Sequence, residues 1–174
     1  MTLAELLCMA VLSIGMPNAD FACYHMHTLV EASEQNKIDP VILTALIFVE
    51  SRWSPNAVSR SGACGLTQVM PRWSSGKKES FGKRLTCKQL FDPDTSIRRG
   101  TKIFAYWFHR YGKQRYKTAL CGYNAGYRCK GNNPYPRGIA YAKKVLRYAK
   151  KIRRELRLLK KYEEEDIPGC MMYE

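Results

Sequence analysis

The sequence predicts a mainly helical, all-α domain, and three observations carry that prediction. Apolar residues recur at spacings of three and four along most of the chain. Long alternating runs and Asn-Gly turns, the marks of strands and hairpins, are scarce. Asp-Pro pairs at 39–40 and 92–93, together with glycine stops, punctuate the apolar segments as helix starts and ends do. At 174 residues the chain is long enough for one domain with a real core and too short for two comfortable ones.

From the N-terminus, residues 6–16 form a short apolar run. It suits a packed helix or the apolar core of an export signal; Glu5 and the lack of a preceding Lys or Arg favour the helix, and the run is too short to span a bilayer. Residues 28–35 read as a helix. Asp39 is expected to cap the next one, with Pro40 in its first turn and its end near Arg52. Its apolar residues go all the way round, which places it in the core. Ser54-Pro55-Asn56 ends it, and residues 59–65 read as a loop. Residues 73–84 form a polar surface excursion. Asp92-Pro93-Asp94 announces a helix over 95–111 with Asp94 as a cap and Gly112 as its stop. A shorter helix over 114–123 breaks at Asn124-Ala125-Gly126, and residues 131–138 form a Pro/Gly/Asn loop. Residues 139–164 then read as one long helix, because Val145, Ala149, Ile152, Leu156 and Leu159 alternate spacings of four and three. The acidic run 163–166 is a frayed tail.

Apolar content of 45% and charged content of 25% exclude the disordered and collagenous classes. Charge is the unusual quantity: 29 Lys and Arg against 15 Asp and Glu give +14 and a pI near 9.6. Such an excess favours an anionic polymer or surface, whether nucleic acid, anionic lipid or a bacterial wall with its peptide carboxylates. Ten of the basic residues lie on the long C-terminal helix, from Lys143 to Lys161. They form either a solvated face around a packing seam or a surface that engages an anionic polymer, a membrane surface or a protein partner. The seven cysteines are odd in number and contain no C-x-x-C pair, so connectivity is open, although Cys121 and Cys129 are placed to close a short loop. Cys23, His25 and His27 have metal-like spacing without a matching second half, and no metal site is assigned.

Glu50 ends the apolar run 41–49. A carboxylate at the rim of a buried helix loses hydration, which raises its pKa and makes it a proton donor near neutral pH. That is the property of an acid that protonates a glycosidic oxygen. Ser59 and Ser61 follow, then Gly65-Leu66-Thr67-Gln68-Val69-Met70-Pro71, then Asp92-Pro93-Asp94-Thr95-Ser96-Ile97-Arg98-Arg99-Gly100, then Tyr123-Asn124-Ala125-Gly126 and Tyr141-Ala142-Lys143-Lys144-Val145.

In their order these motifs resemble the soluble-type lytic transglycosylases of the lysozyme-like superfamily, which are related to goose-type lysozyme. The resemblance covers residues 28–145 and implies a lysozyme-like fold. It divides the chain into an apolar N-terminal segment (1–25), a catalytic domain (26–145) and a basic helical extension with an acidic tail (146–174). It implies Glu50 as the single acid/base. Ser59 would hold the substrate or Glu50, with Ser61 as a second candidate; Gln68 and Met70 would line the sugar cleft. Tyr123 and Asn124 would contact the sugar ring and its N-acetyl group, Tyr141 would close the cleft, and Gly65 and Gly126 would let backbone approach the glycan. Three positions depart from the family pattern: Thr67 replaces a common Met, Cys64 a small or apolar residue, and Arg137 a Glu four residues before the last Tyr.

The implied reaction cleaves the β-1,4 bond between N-acetylmuramic acid and N-acetylglucosamine in peptidoglycan and leaves 1,6-anhydromuramic ends, with no metal or cofactor. Hydrolytic glycosidases ordinarily use two carboxylates, whereas residues 44–71 hold only Glu50; a lone carboxylate fits an internal sugar hydroxyl as the attacking group. A goose-type hydrolase on the same fold is the near alternative, and a basic structural or nucleic-acid-binding virion protein is the alternative of another class. The expected setting is the bacterial cell envelope, with a phage particle or a secretion or conjugation apparatus as possible partners of the protein.

Overall fold

The computed structural model of the chain describes residues 1–71, 83–111, 116–129 and 135–165. Most of the expected excursion at 73–84, Gly112, Gln114, the loop residues 131–134 and the end of the acidic tail lie outside them.

Among the described residues eight α-helices follow in order: α1 Leu3–Ser13, α2 Ala19–Tyr24, α3 Met26–Asn36, α4 Pro40–Ser51, α5 Cys87–Leu90, α6 Pro93–Arg110, α7 Tyr116–Ala125 and α8 Pro136–Glu165, with a 3₁₀ turn, Gly126–Cys129, after α7. No strand longer than an isolated bridge occurs among the described residues.

The N-terminal run is a packed helix. Thr2 and Glu5 form a reciprocal cap at its start, and Leu6, Leu7, Ala10 and Val11 are buried. A Cys8–Cys23 disulfide fastens α1 to α2. That bond removes Cys23 from any metal set, and His25 instead meets Asp94 through Nδ1 at 3.1 Å.

Helix α4 is central. Every residue from Val41 to Phe48 is buried, as its all-round apolar sequence requires. Asp39 caps it through Oδ1, which accepts from the Val41 amide at 2.8 Å, and its other oxygen accepts from Arg153 on α8 at 2.6 Å. Contacts of Tyr141 with Glu50, Tyr148 with Phe48 and Arg153 with Asp39 run α8 antiparallel along α4. One apolar cluster joins α1, α2, α3, α4, α6, α7 and α8, from Ala4 to Leu156. From α8 come Val145, Ala149, Ile152 and Leu156 of the anticipated stripe together with Ala142, and Leu159 packs at the margin.

Several boundaries shift for physical reasons. Helix α6 is capped by Asp92, whose Oδ1 accepts from the Thr95 amide at 2.8 Å; Pro93 occupies the first helical position, so the cap falls two residues before Asp94. Helix α7 continues two residues past 123, and α8 opens three residues early because Pro136 suits a first turn. The short α2 and α5 carry too few residues for a periodic signal.

The segment from 52 to 71 forms a compact loop beside α4. Cys64 bridges to Val58 and Val69, and a Cys64–Cys87 disulfide ties the loop to α5. Cys64, Val69 and Leu90 make a second small core beneath it.

Candidate active site

The site begins with how α4 ends. Beyond Ser51 the chain turns through two successive left-handed residues, Arg52 at φ 52° and Trp53 at φ 61°. Trp53 is wholly buried, and Asn18 donates to the Arg52 carbonyl at 2.9 Å. This anchored turn leaves Glu50 on the last turn of the core helix, half-buried among protein atoms with one face toward solvent.

Burial raises the Glu50 pKa from 4.5 to about 7. Two effects oppose the burial: a hydrogen bond from Tyr141 and the positive charge of Lys144. The Tyr141 hydroxyl donates to Oε1 at 2.6 Å. Because Oε1 accepts that bond, the proton of neutral Glu50 belongs on Oε2.

Tyr123 completes the cluster. Its hydroxyl donates to the Thr67 carbonyl at 2.6 Å. Burial, followed by the nearby Glu50 charge, pushes both the Tyr123 and Tyr141 phenols well above their ordinary pKa. Both therefore remain proton donors in hydrogen bonds.

Thr67 is itself held from behind. Its Oγ1 donates to the Ser96 carbonyl at 2.8 Å, and its amide donates to Ser96 Oγ at 3.2 Å. A Cβ on Gly100 would run into the Thr67 side chain, so Gly100 lets α6 close on the loop. Helix α6 thus fixes the carbonyl that orients Tyr123.

The structure brings Glu50, Tyr123 and Tyr141 together from α4, α7 and α8. Asn124 is exposed on the last turn of α7, next in sequence to Tyr123. Gln68 and Met70 are half-buried on the loop that carries Thr67. The Gln68 amide nitrogen donates to the carbonyls of Ala57 and Gly65 at 3.0 and 2.9 Å, so this side chain braces the loop. Ser59 accepts from the Ala63 amide at 3.0 Å, and the bond to Glu50 comes from Tyr141 instead. Ser61 is exposed in the same turn. Gly65 has a packing reason of its own: at φ 77° a Cβ there would strike the Leu90 carbonyl and lie 2.8 Å from Ser96 Oγ.

Lys144, Thr67 and Ser96 are parts of the site that sequence reasoning did not place there. Lys144 follows Tyr141 by three residues on one helix, a spacing that puts both on one face and was available as a signal. Thr67 was visible only as a departure from the family pattern, and Ser96 carries no local signal because its partner is 29 residues away. Cys64, a second departure, is accounted for by its disulfide to Cys87, and Arg137 is exposed in the first turn of α8.

Known proteins resemble this chain in sequence and fold. Over 84 residues the chain is 35% identical to a soluble lytic murein transglycosylase of Escherichia coli K12, covering 47% of this chain and 13% of that protein. A transglycosylase of Enterobacteria phage PRD1 is 31% identical over 99 residues, covering 57% of this chain and 34% of the phage protein. Among solved structures, the lytic transglycosylase Slt of Pseudomonas aeruginosa, determined as an inactive Glu-to-Gln mutant, superposes with a TM-score of 0.68 at 25% identity, over 80% of this chain and 25% of that one. The chain therefore spans about a third or less of the length of these relatives. The family model described as "Transglycosylase SLT domain" matches residues 27–144, which hold Glu50, Tyr123 and Tyr141, and the chain belongs to that family.

Proposed function

We propose that the protein is a peptidoglycan lytic transglycosylase that uses Glu50 as its single acid/base. The observation that carries this reading is a carboxyl raised to about 7 at the end of a core helix and held by a 2.6 Å hydrogen bond from the half-buried Tyr141. Oε2 donates its proton to the glycosidic oxygen between N-acetylmuramic acid and N-acetylglucosamine as the C1–O4 bond breaks. The resulting carboxylate removes the proton from the muramic C6 hydroxyl, whose oxygen bonds to C1 and closes the 1,6-anhydro ring. Glu50 ends the cycle protonated, and no water enters the product.

The cluster suits both halves of that cycle. Burial supplies the protonated acid, while Tyr141 and Lys144 stabilise the carboxylate that must form next. Tyr123, Asn124, Met70 and Gln68 are proposed to line the sugar cleft around Oε2, with Ser59 and Ser61 at its rim. The Escherichia coli relative named as a soluble lytic murein transglycosylase supports a wall substrate and an envelope setting, and a phage relative named as a transglycosylase is consistent with a phage setting. Association with a phage particle or with a secretion or conjugation apparatus is part of the same reading. No described helix is long and apolar enough to cross a membrane.

Digestion of purified peptidoglycan in ¹⁸O-labelled water tests the reaction type. Anhydro ends free of label are expected; exclusively hydrated, labelled reducing ends would make the protein a goose-type hydrolase. Failure to cleave wall, combined with salt-sensitive DNA binding, would support the basic binding-protein alternative.

A further inference from the structure

Helix α8 has two faces with different fates. Its apolar residues Val145, Ala149, Ile152 and Leu156 are buried against the rest of the core. On the opposite side Lys144, Arg147, Lys151 and Arg154 repeat at spacings of three and four, and all four are exposed. Between Lys143 and Lys161 the helix carries ten basic residues and one acid, Glu155, over about 27 Å of its length. Arg153 turns inward to Asp39, and Arg154 meets its sequence neighbour Glu155 at 3.1 Å.

The exposed row is continuous with the active site. Lys144 acts electrostatically on Glu50, one turn from Tyr141. Tyr148 packs edge-on against Phe48 of α4 with ring centroids 4.6 Å apart, and the Lys151 ammonium lies 5.4 Å from the Tyr148 ring centre. The row therefore leaves the catalytic cluster along the α4–α8 seam and continues down the molecule.

We infer that the Lys144–Arg147–Lys151–Arg154 row is a track for the carboxylates of the peptide stems on the glycan strand being cleaved. This rests on the peptidoglycan reading above and adds a second recognition element to it. Charge complementarity selects the partner: stems carry carboxylates along the same strand that Glu50 addresses, and the track starts beside Glu50. A membrane fits less well, because an interfacial helix needs an apolar face to insert and the apolar face of α8 is already in the core. The track would hold long stem-bearing strands in register by hydrated, salt-sensitive contacts, leaving the sugar cleft to select the bond.

Binding is measured on the Glu50→Gln chain, so that cleavage does not intervene, with three probes: stem-bearing glycan strands, the same strands stripped of peptide by an amidase, and anionic controls. The expected result is about tenfold tighter binding to stem-bearing strands, erased by Arg147→Glu/Lys151→Glu and weakened by rising salt. The control pair Lys102→Glu/Lys117→Glu makes the same charge change on α6 and α7 and is expected to retain the preference. Should the reversal variant unfold, Arg147→Gln/Lys151→Gln is expected to lose the larger part of the preference. Equal binding to both glycans overturns the inference. So does loss of preference in the control pair, or tighter binding to DNA or phosphatidylglycerol vesicles than to stem-bearing strands. Hydrated products from the wild-type chain alongside an intact stem preference would remove the transglycosylase reading and leave the track standing.

Discussion

The hydroxyl of Tyr141, on the second turn of α8, donates a 2.6 Å hydrogen bond to Oε1 of Glu50, 91 residues earlier on the last turn of α4. That bond joins the buried core helix to the long basic helix at the proposed acid/base. It decides which carboxyl oxygen carries the proton and moderates the effect of burial on its pKa. Substitution with Phe removes a bond that favours the carboxylate, so the Glu50 pKa rises further and the alkaline limb of activity moves to higher pH. A fall in kcat on the order of tenfold or more accompanies it, from loss of orientation and of carboxylate stabilisation. A pH–rate profile of Tyr141→Phe checks both; an unmoved limb contradicts the assignment.

The wild-type profile has its own expected shape. As the proposed acid, Glu50 must start protonated, so kcat/KM is expected to be flat on the acid side of about 7 and to fall roughly tenfold per pH unit above it. Initial rates on one purified glycan substrate across the neutral range measure this directly.

Stability should answer to the same carboxyl with a sign opposite to that of a salt-bridged acid. The folded pKa of about 7 lies above the unfolded reference of 4.5, so the folded state binds the proton more tightly. The penalty is absent below 4.5, develops as pH rises toward 7 and is complete above it. Glu50→Gln is therefore expected to match wild type near about pH 4 and to exceed it by on the order of 3 kcal/mol above about pH 8. Urea denaturation at the two pH values reads the difference.

The clamp behind Tyr123 predicts that a distant methyl group damages the site. Gly100→Ala forces a Cβ into Thr67 and should cost about 1–3 kcal/mol, with reduced activity because the carbonyl holding Tyr123 shifts. Thermal melting gives the first effect and turnover the second.

Asp39 has two jobs that substitution separates. Asp39→Ala loses the α4 cap and the Arg153 pair and should cost about 1–2 kcal/mol, whereas Asp39→Asn keeps a capping oxygen and should cost less than about 1 kcal/mol. Equal losses in denaturant midpoint would mean that the cap contributes little.

The legible features of this protein were those with a short-range cause. Asp39-Pro40, the all-round apolar run 41–48 and the four–three stripe of α8 each encode an element locally, and each element is present. Glu50 was legible for the same reason, since its burial follows from the helix that it ends. Tyr123 and Tyr141 came from motif order. Long-range partners stayed hidden: the Thr67–Ser96 clamp spans 29 residues, and the Cys8–Cys23 and Cys64–Cys87 pairings depend on how loops fold back. Gln68 and Ser59 illustrate the converse limit, because a motif names a residue without saying whether its polar atoms face the cleft or the loop's own backbone.

The central claim is that Glu50 alone transfers both protons. Mass spectrometry of peptidoglycan digested by the wild-type and Glu50→Gln chains tests it most directly. The expected result is 1,6-anhydromuramic ends from the wild type and none above background from the variant; anhydro ends released by Glu50→Gln at an undiminished rate would contradict it.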